Sequence, residues 1–294
     1  MRHNIILPLV LHILWSSTLF ANVGFNHSID EMPSIFQQLS KRVFMVHSDR
    51  HRSAIGTAFL VFNDGRKSVF ITARHVLYDV HPKQLKDMVT RLSLHQGGYW
   101  ESGVNSRLTS EYSVRPTEIG ALQDVTPDWK FSGRASDIGY FIANSHPDSP
   151  LVNLEMSLGK SLKHQAIQYL KIKNYILGYP ALQHRDEAGS WVQSMRISLS
   201  QGEILHREDK NKKFILHSTA DSRGGSSGSP VFTEDGQLIG VLSGGGKSDR
   251  YVSYRNGMNS AIVPVDYVRS MIGNLLLKRR TNMASSAMCL WFYR

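Results

Sequence analysis

Three segments of the chain carry side chains that together could activate a hydroxyl group. Ile71-Thr72-Ala73-Arg74-His75-Val76-Leu77 places a histidine at the end of an apolar run, and Ser136-Asp137-Ile138-Gly139-Tyr140-Phe141 opens another run with a carboxylate. The third, Asp221-Ser222-Arg223-Gly224-Gly225-Ser226-Ser227-Gly228-Ser229-Pro230, is a Gly/Ser loop ahead of an apolar burst. A serine hydroxyl is too weakly acidic to attack a carbonyl unaided. An imidazole supplies the base, and a carboxylate behind it fixes the tautomer and stabilises the imidazolium. Each segment alone also has a structural reading: a packed or capping His75, a strand-start Asp137, a flexible turn. Their occurrence together, in this order, points to acyl transfer.

Other chemistries find less support. Cys289 is the single cysteine, so the chain forms no internal disulfide and builds no cysteine-based zinc or iron–sulfur cluster. The 13 histidines are scattered without H-E-x-x-H spacing, and neither a metal site nor any cofactor is expected. Gly244-Gly245-Gly246-Lys247-Ser248 evokes a phosphate-binding loop, but Val241 stands where that loop needs its first glycine. Asn26-His27-Ser28 fits an N-glycosylation acceptor, a pattern of low specificity. Lys plus Arg number 34 against 24 Asp plus Glu, a formal net charge of +10, which raises nucleic acid or anionic surfaces as partners. The basic stretches Lys210 to Lys213 and Lys278-Arg279-Arg280 are short and read as solvated loop and helix-end residues, so no nucleic acid is expected.

The surrounding elements read as short strands. Arg2 followed by the apolar stretch Ile5 to Phe20 and the small Ala21 predicts a signal peptide over residues 1–21, hence a secreted or periplasmic protein without a stable membrane anchor after its removal. Residues 22–41 lack a clear period and read as a leader or pro-segment. Apolar bursts then follow at Val43 to Val46, Thr57 to Phe62, Val69 to Thr72 and Ile138 to Ile142, with Asn63-Asp64-Gly65 as a hairpin turn. A second series comprises Tyr175 to Gly178, Trp191 to Leu199, Phe214 to His217, Pro230 to Phe232 and Leu238 to Leu242, with Asp235-Gly236 as a turn. The predicted organisation is all-β: a first unit over 42–143, a Ser/Pro/Asn-rich linker over 144–163 and a second unit over 164–263. Val265, Val268, Met271, Ile272, Leu275 and Leu276 predict an amphipathic C-terminal helix over 264–280, before a tail over 281–294.

At these residues the sequence resembles the trypsin/chymotrypsin-like serine proteases, above all the disulfide-poor bacterial branch that includes the glutamyl endopeptidases. The family's Thr-Ala-x-His segment matches Thr72 to His75, its Asp-led strand start matches Asp137, and its Gly-x-Ser-Gly-Gly/Ser-Pro loop matches Gly225 to Pro230. The resemblance implies two six-stranded antiparallel β-barrels with the active site between them. It further implies a catalytic set of His75, Asp137 and Ser227, and an oxyanion hole from the backbone N–H groups of Gly225 and Ser227. Ser226 also fits a G-x-S-x-G elbow, but that hydrolase fold needs a histidine after the serine, and none follows His217. A subtilisin-like order could be assembled from Asp49, His75 and Ser227, but the β-rich pattern opposes it. Ser226 replaces the aspartate that trypsin-like zymogens place before the nucleophile, so no switch of that kind is expected.

Asp221, six residues before Ser227, matches the floor of the trypsin specificity pocket, and Ser243-Gly244-Gly245 resembles its wall. Asp221 at that floor implies cleavage after Arg or Lys; the competing reading makes it a turn residue that satisfies local N–H groups. Leu242 replaces the histidine of glutamyl endopeptidases, which disfavours Glu specificity. The function so read is an exported serine endopeptidase acting on protein or peptide substrates. The alternative is a catalytically silent protein of the same fold that binds through its basic surface.

Overall fold

The computed structural model describes residues 29–49, 52–78, 91–102, 106–121, 137–145, 158–159, 171–210, 213–245 and 260–282. The expected signal peptide, all but the first two residues of the expected C-terminal tail and most of the expected linker lie outside them. Strands dominate. The N-terminal unit holds β1 (Val43–Ser48), β2 (Ser53–Asn63), β3 (Lys67–Thr72), β4 (Leu92–Gln96), β5 (Tyr99–Glu101), β6 (Arg107–Leu108), β7 (Tyr112–Val114), β8 (Pro116–Ala121) and β9 (Gly139–Asn144). The C-terminal unit holds β10 (Lys173–Gly178), β11 (Ala181–Arg185), β12 (Trp191–Arg196), β13 (Ser198–Lys210), β14 (Lys213–Ser218), β15 (Pro230–Phe232), β16 (Leu238–Gly245) and β17 (Ser260–Pro264). Among the described residues, three α-helices accompany these strands: α1 (Ser34–Ser40), α2 (Arg74–Tyr78) and α3 (Val265–Asn282).

The C-terminal unit is the closed antiparallel barrel that the turn-separated bursts predict, with strand order β10-β13-β14-β17-β16-β15. The described part of the N-terminal unit forms the half-barrel of the expected two-unit fold, a seven-stranded sheet with order β7-β4-β1-β2-β3-β9-β8. A third sheet, β11-β12-β5-β6, joins hairpins from both units. The hairpin turn after β2 forms where Asp-Gly calls for it: Gly65 adopts φ 80° and its N–H donates to the Asn63 side chain at 2.7 Å.

Several N-terminal strands read as unbroken apolar runs because both of their faces are covered. Phe44, Val46, Ala58, Leu60, Phe70, Leu92, Leu94 and Phe141 face one core. The alternate residues Val43, Met45, Phe59, Val69, Ile71 and Ile142 belong to a second core, which extends through the C-terminal barrel. Helix α3 closes that barrel with Val265, Val268, Met271 and Ile272 buried, the spacing the sequence predicts.

Residues 22–41, read as a leader, contain a structured part from Ile29 onward. A 3-10 turn at Ile29–Glu31 leads into α1, whose Phe36 is 1% exposed and packs 4.7 Å from the Tyr175 ring and 6.4 Å from that of Phe232. The segment just before the N-terminal unit is thus built into the core of the C-terminal one. Among the described residues, no helix is long and apolar enough to cross a membrane.

Candidate active site

His75 and Asp137 meet because of strand register. Strands β3 and β9 are antiparallel neighbours with Thr72 opposite Gly139, so the chain leaving β3 and the chain entering β9 share one end of the sheet. Ala73 is fully buried just before the short helix α2, which swings His75 back over that end. A side chain at position 139 would run into Leu77, so glycine there lets α2 lie down. Arg74, bulkier than the family's usual alanine, is half-buried and leaves this packing undisturbed.

The carboxylate of Asp137 is 7% exposed and holds the histidine at two points. Its Oδ1 accepts the His75 backbone N–H at 2.9 Å, and its Oδ2 lies 2.7 Å from His75 Nδ1. A third bond comes from the Ser243 hydroxyl, which donates to Oδ2 at 2.6 Å. A proton on Nδ1 shared with the carboxylate makes Nε2 the unprotonated nitrogen, the atom that a base must present. The His75 side chain is 40% exposed, so that atom can be reached.

The serine loop turns on two glycines of positive φ, Gly225 at 83° and Gly228 at 87°, with Ser227 half-buried between them. It is fixed from the N-terminal unit: the Thr57 N–H donates to the Ser227 carbonyl at 2.9 Å and the Thr57 hydroxyl donates to the Gly225 carbonyl at 2.9 Å. The same hydroxyl accepts the Tyr179 N–H at 3.0 Å. Beside Thr57, a Cβ on Gly56 would lie 2.7 Å from Val76 and 3.3 Å from the Ser227 carbonyl. Glycine at 56 therefore lets the histidine helix and the serine loop close on one strand. Ser226, the rival nucleophile, is 2% exposed, and its hydroxyl accepts the Arg223 N–H at 3.4 Å. Asp49 pairs with His47 and Arg115 rather than with His75.

The peptide between Gly224 and Gly225 has a defined orientation. The Gly224 carbonyl accepts the Ala181 N–H at 2.6 Å, and in a trans peptide the Gly225 N–H points the opposite way. Among the described residues, neither the Gly225 nor the Ser227 N–H is taken by a hydrogen bond. Two adjacent backbone donors are thus available for a developing oxyanion.

The family model of the trypsin-like peptidase domain matches residues 56–241. The chain belongs to that family. This trypsin-like peptidase is a serine-type enzyme whose fold recurs in solved structures. That of Rv3671c from M. tuberculosis H37Rv, as a mutant in an inactive form, matches with a TM-score of 0.50 at 13% identity, over 84% of this chain and 92% of that one. Deg5 matches with a TM-score of 0.49 at 15% identity, over 81% and 93%. No curated protein sequence matches the chain.

Of the other residues expected in the peptidase site, Asp221 stands exposed on the segment between β14 and the serine loop, and Gly244 is half-buried in β16 opposite Ala261. Gly245 pairs with Ser260 in the same strand pair. Ser243, expected in the pocket wall, points its hydroxyl at Asp137. Thr57 was not legible as a site residue, since a threonine within an apolar burst carries no signal of the loop it will tether. Among the described residues, no cluster of three metal-binding side chains occurs.

Proposed function

We propose that the protein is an exported serine endopeptidase in which Ser227 is the nucleophile, His75 the general base and Asp137 the residue that orients it. The observation that carries this reading is the double grip of Asp137 on His75, which aims Nε2 outward beside a loop with two unengaged N–H donors. Ser227 Oγ attacks the scissile carbonyl as Nε2 takes its proton, and the oxyanion falls to the N–H groups of Gly225 and Ser227. The imidazolium then returns the proton to the leaving amine, and water, activated by the same base, hydrolyses the acyl-enzyme. No cofactor enters these steps.

Asp221 supports a preference for Arg or Lys before the scissile bond, since it sits six residues before the nucleophile and is exposed to solvent. Export is supported by Arg2, the apolar stretch Ile5 to Phe20 and Ala21. A fluorophosphonate probe tests the reading: it is expected to label the wild type and not Ser227→Ala. Absence of labelling, or labelling that persists in the variant, sinks it. Cleavage-site profiling with Asp221→Ser is expected to lose any Arg/Lys preference.

A further inference from the structure

Strand β11 is the outer strand of its sheet, and it starts beside the oxyanion loop. Its hydrogen-bonding parity is fixed from two sides. The Ala181 N–H points away from β12 to the Gly224 carbonyl. Across the hairpin, Gln193 lies opposite Gln183, yet the Gln193 N–H donates to the Ser102 hydroxyl at 2.7 Å and its carbonyl accepts the Ser102 N–H at 2.7 Å. Both polar groups of Gln193 therefore face β5, and Gln183 belongs to a pair without ladder bonds. The N–H and C=O groups of Gln183, and by the same alternation those of Arg185, point outward from an exposed edge. They continue the row that opens at Gly224.

A second observation lies on the face of this hairpin. Met195, Gln193 and Trp191 share one side of β12, and Met195 is the residue against which a Cβ on Gly225 would press, with its sulfur 3.0 Å away. Trp191 is 68% exposed, with the Arg185 guanidinium 4.9 Å from its ring. Four residues of strand put it roughly 13 Å from Met195, so an aromatic platform stands on the oxyanion-loop side of an open edge.

We propose that β11 is a docking strand for the part of the substrate that follows the scissile bond. Resting on the peptidase reading, this assigns the edge to an extended polypeptide. The chain passes Gly224, runs parallel to β11, exchanges hydrogen bonds with the N–H and C=O of Gln183, and lays a side chain on Trp191 about four residues past the cleaved bond. The occupant is an unfolded or extended segment, since its N–H and C=O groups must be free on the side that faces β11.

Peptides identical up to the scissile bond and extended by one to six residues beyond it test this with the full chain. kcat/KM is expected to rise about tenfold as the extension passes three or four residues, the size of one or two net backbone hydrogen bonds. Gln183→Pro deletes the outward N–H and spares the β11–β12 ladder, so the ratio of long-peptide to short-peptide kcat/KM should fall toward one, whereas Gln183→Ala keeps it. N-methylation of the peptide nitrogen facing β11 should remove the gain without altering the protein. A flat length profile, a gain that survives both Gln183→Pro and N-methylation, or a dimer in sedimentation that Gln183→Pro abolishes would each overturn the proposal. If no peptide of any length is cut, the peptidase reading fails instead. Docking is then read alone from quenching of Trp191 emission by the longest peptide on Ser227→Ala, with Trp191→Phe as background.

Discussion

Ser243 brings its hydroxyl to the same carboxylate oxygen that faces His75 Nδ1, and it does so from the other unit of the molecule. Each bond to Asp137 narrows the carboxylate's freedom, and a hydrogen bond to a charged acceptor contributes about 1.5–3 kcal/mol. Ser243→Ala leaves both bonds from His75 in place. The expected result is a fall in kcat of about tenfold, the low end of that range, with KM for short substrates unchanged. Steady-state kinetics check it: a kcat equal to the wild type would mean that the two bonds to His75 hold the carboxylate by themselves. Thr57 acts by the same logic on the opposite wall, joining the Gly225 carbonyl to the Tyr179 N–H through one hydroxyl. The residues identified by type alone, His75, Asp137 and Ser227, are those proposed to do the chemistry. Those that hold them, Thr57 and the Ser243 hydroxyl, became visible only through partners 168 and 106 positions away, and one sequence has no means of expressing such pairs.

At the scale of elements, α1 is the clearest case of structure joining parts that are separate along the chain. Its buried apolar residues are Phe36 and Leu39, joined by Met32 from the turn before it, but the helix has only seven residues and follows Pro33, so no period stands out. Phe36 fills the space between Tyr175 and Phe232, and truncating it leaves a cavity that the barrel cannot close. Phe36→Ala is expected to cost about 3–5 kcal/mol, read as a lower urea midpoint with an unchanged slope. A loss below 1 kcal/mol would show that α1 rests on the barrel without supporting it. The elements that could be read from the sequence share one physical cause: β1, β2, β3, β9 and β10 are apolar on both faces and announce themselves as bursts. Strands β5, β6 and β7 have only two or three residues, β8 is mostly exposed or half-exposed along its length, and β11 is largely polar. Their pairing energy lies in backbone bonds that any composition can make, which is why the third sheet and the seventh strand of the N-terminal sheet went unread.

The stability of the whole molecule is tied to pH through a buried pair on the β1–β4 seam. His95 is 8% exposed, lies between the hydroxyls of Ser93 and Ser110, and meets the His47 ring edge-on at 5.8 Å. Burial, reinforced by His47 and Arg115 and only partly opposed by Asp49, lowers its pKa from 6.5 to about 4. Burial also lowers His47, against the pull of its Asp49 partner. A base with a lowered folded-state pKa has no effect on stability above the unfolded value of 6.5. As pH falls from 6.5 toward 4, the unfolded chain takes up a proton that the fold refuses, and the fold weakens throughout that window. A shift from 6.5 to about 4 corresponds to about 3 kcal/mol lost by pH 4. Strand β4 links the small edge strand β7 to the rest of the N-terminal sheet, so protonation at this seam is expected to release that edge. His95→Gln keeps a hydrogen-bonding side chain and removes the titration. Urea unfolding at pH 7.5 and pH 5 should then show a large drop in wild-type stability and a smaller one in the variant. Equal drops in both would place the acid sensitivity elsewhere in the molecule.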